Sequence, residues 1–407
     1  MNRLLQGDVG SGKTLVAAAL IWHAVKSGCQ AAFMAPTEIL AQQHFQTLTD
    51  ILSPYGIRVV KLTGSMTAAQ KRKTNELLTL GMADVAVGTH ALLSTNVAYQ
   101  RLGLVITDEQ HRFGVEQRSA LAEKGENPHI LVMSATPIPR TLALIIYGDL
   151  DISVLDELPP GRQKVDTFAL DESMRQRIWN FVRRLVGEGR QVFIVCPMVE
   201  ESESLGADVK SAQEYAEHLQ KSVFPELRVR CIHGRMKAKE KDAVMNDFAA
   251  GDFDILVSTT VIEVGVDIPN AALMIVENAD RFGLSQLHQL RGRVGRGQHK
   301  SYCVLFSGST TEDAKARLRV MTKTNDGFLI SQEDLRLRGP GDFFGSRQHG
   351  LPETHVADLS ADMRVLKQAQ QEVWDTLAAD PALTAPENRP LKKRIEEIFA
   401  KNADTMN

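Results

Sequence analysis

The stretch Gly7-Asp8-Val9-Gly10-Ser11-Gly12-Lys13-Thr14 decides how this chain is read. Its glycines carry no Cβ, so the backbone can curl around a polyphosphate and turn successive N–H groups toward it. Lys13 supplies a point charge for β- and γ-phosphates, and the Thr14 hydroxyl suits a magnesium ion. The setting agrees with the loop. Arg3-Leu4-Leu5 leads in as a strand, and Leu15-Val16-Ala17-Ala18-Ala19-Leu20-Ile21 follows as a helix whose N-terminus would face the anion. Chance alone would place such a pattern in roughly one or two of a hundred chains of this length. Gly7, Gly10, Ser11, Gly12, Lys13 and Thr14 are therefore candidate contacts for ATP, with Mg²⁺ on Thr14.

Outward from the loop, short apolar runs with β-branched members recur at 31–35, 59–62, 84–88, 103–107 and 130–134. Amphipathic stretches at 38–52 and 68–80 lie between them. Short continuous strands separated by helices mean a parallel sheet covered on both faces. Asp156-Glu157-Leu158-Pro159-Pro160-Gly161-Arg162 breaks this rhythm and reads as a linker, because two prolines and a glycine continue neither element. The alternation then restarts at 165–170, 191–196, 228–232, 254–258, 272–277 and 301–306. Two α/β blocks with one phosphate loop suggest a nucleotide held between two similar lobes.

Composition sets outer limits. The chain has 407 residues, 43% hydrophobic and 24% charged, enough to bury two or three cores. A net charge of −3 gives no global nucleic-acid signature, so a nucleic-acid site has to be local. Cys29, Cys196, Cys231 and Cys303 form no metal-ligand pairs and read as reduced, mostly strand-borne core residues of a cytosolic protein. No apolar run approaches a membrane span, so no membrane partner is expected.

Two further stretches carry chemistry. Leu104-Val105-Ile106-Thr107 ends in Asp108-Glu109, at the strand edge where open α/β sheets bind ligands. Phosphoryl transfer to water needs one acid on the Mg²⁺ shell and one orienting the water, which suits Asp108 and Glu109 respectively. Later, Gln289-Leu290-Arg291-Gly292-Arg293-Val294-Gly295-Arg296 places three arginines, poor core material, among glycines. They fit an exposed basic turn, a nucleic-acid contact, or a guanidinium that reaches the γ-phosphate from the second lobe. Their position in the second block suits the last of these.

In order, these stretches resemble the motifs of superfamily-two helicases. Residues 7–14 match motif I, Ala35-Pro36-Thr37-Glu38 motif Ia, Gly88-Thr89-His90 motif Ib and Asp108-Glu109-Gln110-His111 motif II. Ser134-Ala135-Thr136 matches motif III, 258–269 motif V and 289–296 motif VI. Asp108 through Arg118, Leu158 through Arg162 and Asp334 through Gly345 are more closely similar to the RecG family of bacterial branched-DNA translocases. The likeness covers essentially the whole chain.

The resemblance implies two RecA-like lobes (1–155 and 156–308), then a helical hairpin and helical tail (309–407). It implies ATP on Lys13, Asp267 and Gln289, catalysis by Asp108, Glu109, Arg293 and Arg296, and coupling of hydrolysis to DNA by Ser134-Ala135-Thr136. DNA phosphates fall to Thr37, Thr89, His90, Thr259 and Thr260, and translocation to Arg317, Arg338 and Gln348. Implied partners are branched double-stranded DNA and single-strand DNA-binding protein, for a monomer at the bacterial nucleoid. Relatives in the family carry a wedge domain and an adenine-contacting segment before motif I. Neither is found in these residues, and the expectation is an N-terminally truncated motor with weak ATP binding and no junction preference. A transcription-repair coupling translocase motor, which shares the hairpin, is the nearest competing reading. A non-catalytic nucleic-acid-binding remnant and an unrelated P-loop kinase or transporter ATPase are the others.

Overall fold

A computed structural model describes residues 1–108, 120–134, 150–157, 164–197, 205–259, 268–297, 299–338 and 363–404. Residues 1–137 and 149–331 form one compact unit, and 138–148 with 332–407 a second. The first unit holds two parallel sheets.

Sheet one runs in the order β3-β4-β2-β5-β6-β1-β7. Its strands are β1 (Asn2–Gly7), β2 (Gln30–Met34), β3 (Val59–Leu62), β4 (Val85–Gly88), β5 (Leu102–Thr107), β6 (His129–Ser134) and β7 (Asp151–Leu155). The helices α1 (Lys13–Lys26), α2 (Glu38–Leu52) and α3 (Ala68–Thr79) connect them. Successive residues of a strand face opposite sides, and both sides are apolar here. Ala31 and Phe33 join Ile21, Leu48, Ile106 and Met133 in one core, while Ala32 and Met34 join Leu62, Leu78 and Val105 in the other. Each large side chain so buried contributes about 1.5–3 kcal/mol. β7 was not legible in sequence: Asp151 and Ser153 interrupt its apolar residues. Their side chains bond Arg3 of β1 at 3.1 and 2.7 Å.

Sheet two runs β10-β11-β9-β12-β13-β8. It comprises β8 (Asp166–Leu170), β9 (Gln191–Val195), β10 (Val229–Ile232), β11 (Ile255–Ser258), β12 (Ala271–Val276) and β13 (Tyr302–Phe306). Helices α4 (Arg175–Gly187), α5 (Leu205–His218), α6 (Ala238–Ala250) and α7 (Leu284–Arg291) follow the strands. Ile178, Trp179, Val182 and Leu185 of α4 pack on Val192, Ile194, Val257 and Ile275. Cys303 is a buried strand residue, and Cys231 of β10 and Cys196 are half-buried against the second-lobe core. Cys29 and Cys196 lie just outside strand ends, so the strand-borne core reading holds for Cys303 and is corrected for Cys29 and Cys196.

The first unit continues past residue 309 through α8 (Glu312–Lys323). Arg317 of α8 donates to the carbonyls of Asp280 and Phe282 at 2.9 and 3.1 Å, tying the helix to the second lobe. Helix α9 (Gly327–Arg338) follows α8 after a three-residue turn. Asp326 caps it, its Oδ1 accepting the N–H of Phe328 at 2.8 Å. In the second unit, α10 (Met363–Ala379) and α11 (Arg389–Asp404) are joined by a loop that Asp380 organises. Its carboxylate accepts from the N–H of Thr384 and Ala385 and from Asn388 Nδ2, which holds Asp380 well below the usual carboxylate range.

Candidate nucleotide site

The loop at 7–14 leaves the buried end of β1, which is hydrogen-bonded to β6 on one side and β7 on the other. Gly10 and Gly12 have φ of 72° and 92°, left-handed angles that side chains resist. Gly12 leads directly into α1 with no side-chain cap and no acidic residue in the first turn. That helix end is therefore electrostatically open to an anion. Lys13 is 8% exposed, and its Nζ donates to the carbonyls of Gly7 and Asp8 at 2.9 and 2.8 Å. The Ser11 hydroxyl is buried with no hydrogen-bond partner among the described residues.

A cleft of about 520 Å³ opens above this loop. Gly10, Ser11, Gly12, Lys13 and Thr14 form its floor, Asp108 one wall, and Arg293 and Arg296 arrive from the second lobe. The cation and carboxylate types that phosphoryl transfer requires thus surround one space. Asp108 follows β5 and is 8% exposed. Its Oδ2 lies 2.8 Å from His44 Nε2, and the His44 ring is tilted against Phe33 at 4.5 Å. Sequence reasoning missed His44. The signal was present: Leu40, His44 and Leu48 share one face of α2, so a histidine stands where the helix otherwise turns apolar residues inward.

The three arginines at the end of α7 and just beyond it separate into different roles in space. Arg291 is 2% exposed and donates to the carbonyls of Met321 and Thr324 at 2.9 and 2.8 Å. It is core, contrary to the expectation from its chemistry, because carbonyls ending α8 satisfy its guanidinium. Arg293 is 4% exposed and faces the cleft, and Arg296 lies at its mouth with Nε bonded to Gly292 O at 3.0 Å. Gly292 lies so close to the loop that an added Cβ would stand 2.9 Å from Val9 Cβ. Gln289 is buried at the base of this segment.

The loop carboxylate was also missed. Asp8 Oδ1 is 2.6 Å from His288 Nε2, and Asp8 Oδ2 accepts the Gly327 N–H at 3.3 Å. A negative charge inside an anion-binding loop is itself a signal, since it has to be held by something.

Of the expected DNA-side residues, Thr37 caps α2, its hydroxyl accepting the Leu40 N–H at 3.4 Å. Thr89 and Thr259 follow β4 and β11, each 2% exposed, with hydroxyls that have no partner among the described residues. His90 is exposed. Glu109, Ala135, Thr136, Thr260, Asp267 and Gln348 lie outside the described residues, as does the linker from 158, and Arg338 ends α9. No group of three or more potential metal ligands occurs among the described residues.

Residues 1–145 match the DEAD/DEAH box helicase family and 175–298 the helicase conserved C-terminal domain. Residues 324–406 match the family described as ATP-dependent DNA helicase RecG, domain 3, C-terminal. The ATP-dependent DNA helicase RecG of Synechocystis sp. is 51% identical over 401 residues, which cover 98% of this chain and 48% of that relative. Its namesake from Bacillus subtilis is 49% identical over 395 residues, 97% of this chain and 58% of the relative. The chain spans about half the length of the curated relatives it matches. A solved structure of RecG bound to a three-way DNA junction is 49% identical, with a TM-score of 0.75, covering 90% of this chain and 47% of that one. Yeast Dbp5 bound to RNA and ADP BeF3 shares the fold at 17% identity, with a TM-score of 0.57, covering 91% of this chain and 89% of that one. With two RecA-like lobes and this level of identity along nearly its whole length, the chain belongs to the RecG family of superfamily-two helicases.

Proposed function

We propose that this chain is the ATP-driven motor of a RecG-type DNA helicase, hydrolysing ATP between its lobes and moving along duplex DNA. The observation that carries this is the single cleft in which Lys13, Thr14 and Asp108 meet Arg293 and Arg296. Lys13 binds the β- and γ-phosphates, and the α1 N-terminus and loop N–H groups cradle them. Arg293 and Arg296 neutralise charge that develops on the transferred group. Glu109, next in sequence to Asp108, orients the attacking water, and Asp267 and Gln289 contact the nucleotide.

Thr14 and Asp108 would hold Mg²⁺, since a hydroxyl and a carboxylate are the hard oxygen ligands this ion takes. When bound, the ion would supply positive charge that offsets charge on the phosphates. His44 fixes the rotamer of Asp108 for that task.

The substrate class proposed is branched double-stranded DNA, following the relative solved with a three-way junction. Thr37, Thr89, His90, Thr259 and Thr260 hold backbone phosphates. The equivalent placement of the Thr89 and Thr259 hydroxyls, buried and unpartnered among the described residues, supports this reading. Arg317, Arg338 and Gln348 belong to the region that transmits lobe movement, and 1–155, 156–308 and 309–407 are its working divisions. A monomer in the bacterial cytoplasm, meeting single-strand DNA-binding protein at the nucleoid, completes the proposal.

ATP turnover measured with no DNA, linear duplex and a three-way junction tests it. Turnover that rises with DNA is expected. Turnover indifferent to every DNA would sink the motor reading.

A further inference from the structure

Asp8 poses a physical problem that the nucleotide reading does not solve. Its carboxylate belongs to the loop proposed to receive a triphosphate, where an uncompensated negative charge opposes binding. In the structure that charge is turned aside and heavily engaged. Oδ1 accepts the Val9 N–H at 2.6 Å and lies 2.6 Å from His288 Nε2, and Oδ2 accepts the Gly327 N–H at 3.3 Å. The Asp8 and His288 side chains are 16% and 6% exposed, so water screens the group little.

The tautomer of His288 follows from its other neighbour. Arg291 Nη2 lies 3.0 Å from His288 Nδ1, and a guanidinium only donates, so Nδ1 is the acceptor. The proton facing Asp8 therefore belongs to Nε2, which donates to the carboxylate. Arg291 in turn grips the carbonyls of Met321 and Thr324 at the end of α8. Gly327 is the first residue of α9, where the helix dipole favours a negative charge. Both oxygens of Asp8 are thus held by groups that converge on residues 321–327. One path runs through His288 and Arg291, and the other is direct.

We propose that Asp8 is an electrostatic interlock, a positioning residue that makes nucleotide affinity conditional on the second lobe and the α8–α9 turn. This rests on the nucleotide reading above and extends it. While His288 and the Gly327 N–H hold the carboxylate, the loop presents N–H groups and Lys13 to the phosphates. When those partners withdraw, the Asp8 carboxylate loses part of what offsets its charge and opposes the phosphates. By linkage, a bound triphosphate favours the arrangement in which the α8–α9 turn is docked on Asp8.

Gly327→Pro isolates the effect. Proline lacks the N–H but suits the first position of a helix, and Asp326 already occupies the capping position before it. Calorimetric titration with the non-hydrolysable analogue AMP-PNP and Mg²⁺ should show affinity falling about tenfold in Gly327→Pro, the scale of one hydrogen bond to a charged group. Gly327→Ala, which keeps the N–H, should stay near the parent. Adding Asp8→Asn to the proline variant should restore affinity, because a neutral amide does not repel phosphate, and the rescue would also show that the proline variant folds. Undiminished binding by Gly327→Pro, or a loss that Asp8→Asn leaves in place, overturns the interlock. No binding by the parent, even at millimolar analogue, overturns the nucleotide reading itself and the interlock with it.

Discussion

Set side by side, the two lobes use one strand order. Replacing β1 through β6 by β8 through β13 turns β3-β4-β2-β5-β6-β1 into β10-β11-β9-β12-β13-β8, with β7 as the extra strand of the first lobe. The likeness reaches single side chains. Gln30 opens β2 and donates to Leu78 O and Ala83 O at 2.9 and 2.8 Å; Gln191 opens β9 and donates to Phe248 O and Phe253 O at 2.7 and 2.9 Å. Asp84 accepts the Arg58 N–H at 2.7 Å, and Asp254 the Arg228 N–H at 2.8 Å. Lys71 reaches Gly64 O at 2.6 Å as Lys241 reaches Gly234 O at 2.8 Å.

The lobes part at the end of the strand that feeds the first helix. α1 opens on Lys13 and α4 on Arg175; β5 is followed by Asp108 and β12 by Glu277. In the first lobe a glycine loop precedes the cation, and His44 braces the carboxylate from α2. In the second, a short turn at Glu172–Met174 replaces the loop. Arg175 then meets Glu277 through two hydrogen bonds at 2.7 and 2.8 Å, over the ring of Phe306. Tyr215 donates to the same carboxylate at 2.7 Å, and burial, with Glu277 alongside, pushes its phenol well above the ordinary value. One scaffold thus carries cation and carboxylate at equivalent places. With the loop they face a cleft; without it they neutralise each other.

The largest expected effect lies on the first side of this comparison. Lys13→Ala should lower DNA-stimulated ATP turnover by about 10²–10³, with a smaller effect on the urea midpoint from the two carbonyls that lose their donor. Arg175→Met should do the reverse. It leaves the buried Glu277 carboxylate without its countercharge, only Tyr215 among the described residues still donating to it, at a cost of about 3 kcal/mol in urea unfolding, with turnover per folded molecule little altered. If Arg175→Met abolished turnover as Lys13→Ala does, the division of labour between the lobes would be wrong.

Smaller and equal effects are expected where the lobes agree. Gln30→Leu and Gln191→Leu each strip two buried carbonyls of their donor, costing roughly 2 kcal/mol apiece. A large difference between them, read by thermal unfolding, would break the equivalence.

The smallest effect concerns the thiols of the second lobe. Burial pushes Cys303 up to about 12 and Cys231 up to about 11, and burial with Glu277 nearby pushes Cys196 up to about 12, from an ordinary 9.0. Iodoacetamide near pH 8 should spare these three in the native chain and reach them in urea. The folded chain holds these protons more tightly than the unfolded one. Their contribution to stability is therefore complete below about pH 9 and lost as pH climbs toward 12. Cys231→Ser should flatten that alkaline decline. Fast native labelling of Cys303 would contradict its burial.

Much of the fold was legible because parallel strands buried on both faces are short, continuous apolar runs. Phe33 and Val192 needed no neighbours to be recognised as core. β7 escaped because its polar residues answer Arg3, a partner visible only once the strands are paired. The loop, Asp108 and the arginines were legible as chemistry, since glycine, lysine and adjacent acids are informative at fixed spacing. Their bracing was not. His44 belongs with Asp108 across 64 residues and His288 with Asp8 across 280, distances over which spacing carries no information. Arg291 was misread for the same reason, because carbonyl acceptors leave no mark in a sequence.

The placement of β1 has a consequence for how the chain is made. Asn2 pairs with Ile130 and Arg3 with Asp151, so the strand carrying the loop completes its sheet only after those partners leave the ribosome. At the usual pace of synthesis that takes on the order of ten seconds. Until then the loop lacks the paired strand that aims it. Under the proposed function, nucleotide capture is expected to wait for completion of the first lobe's sheet.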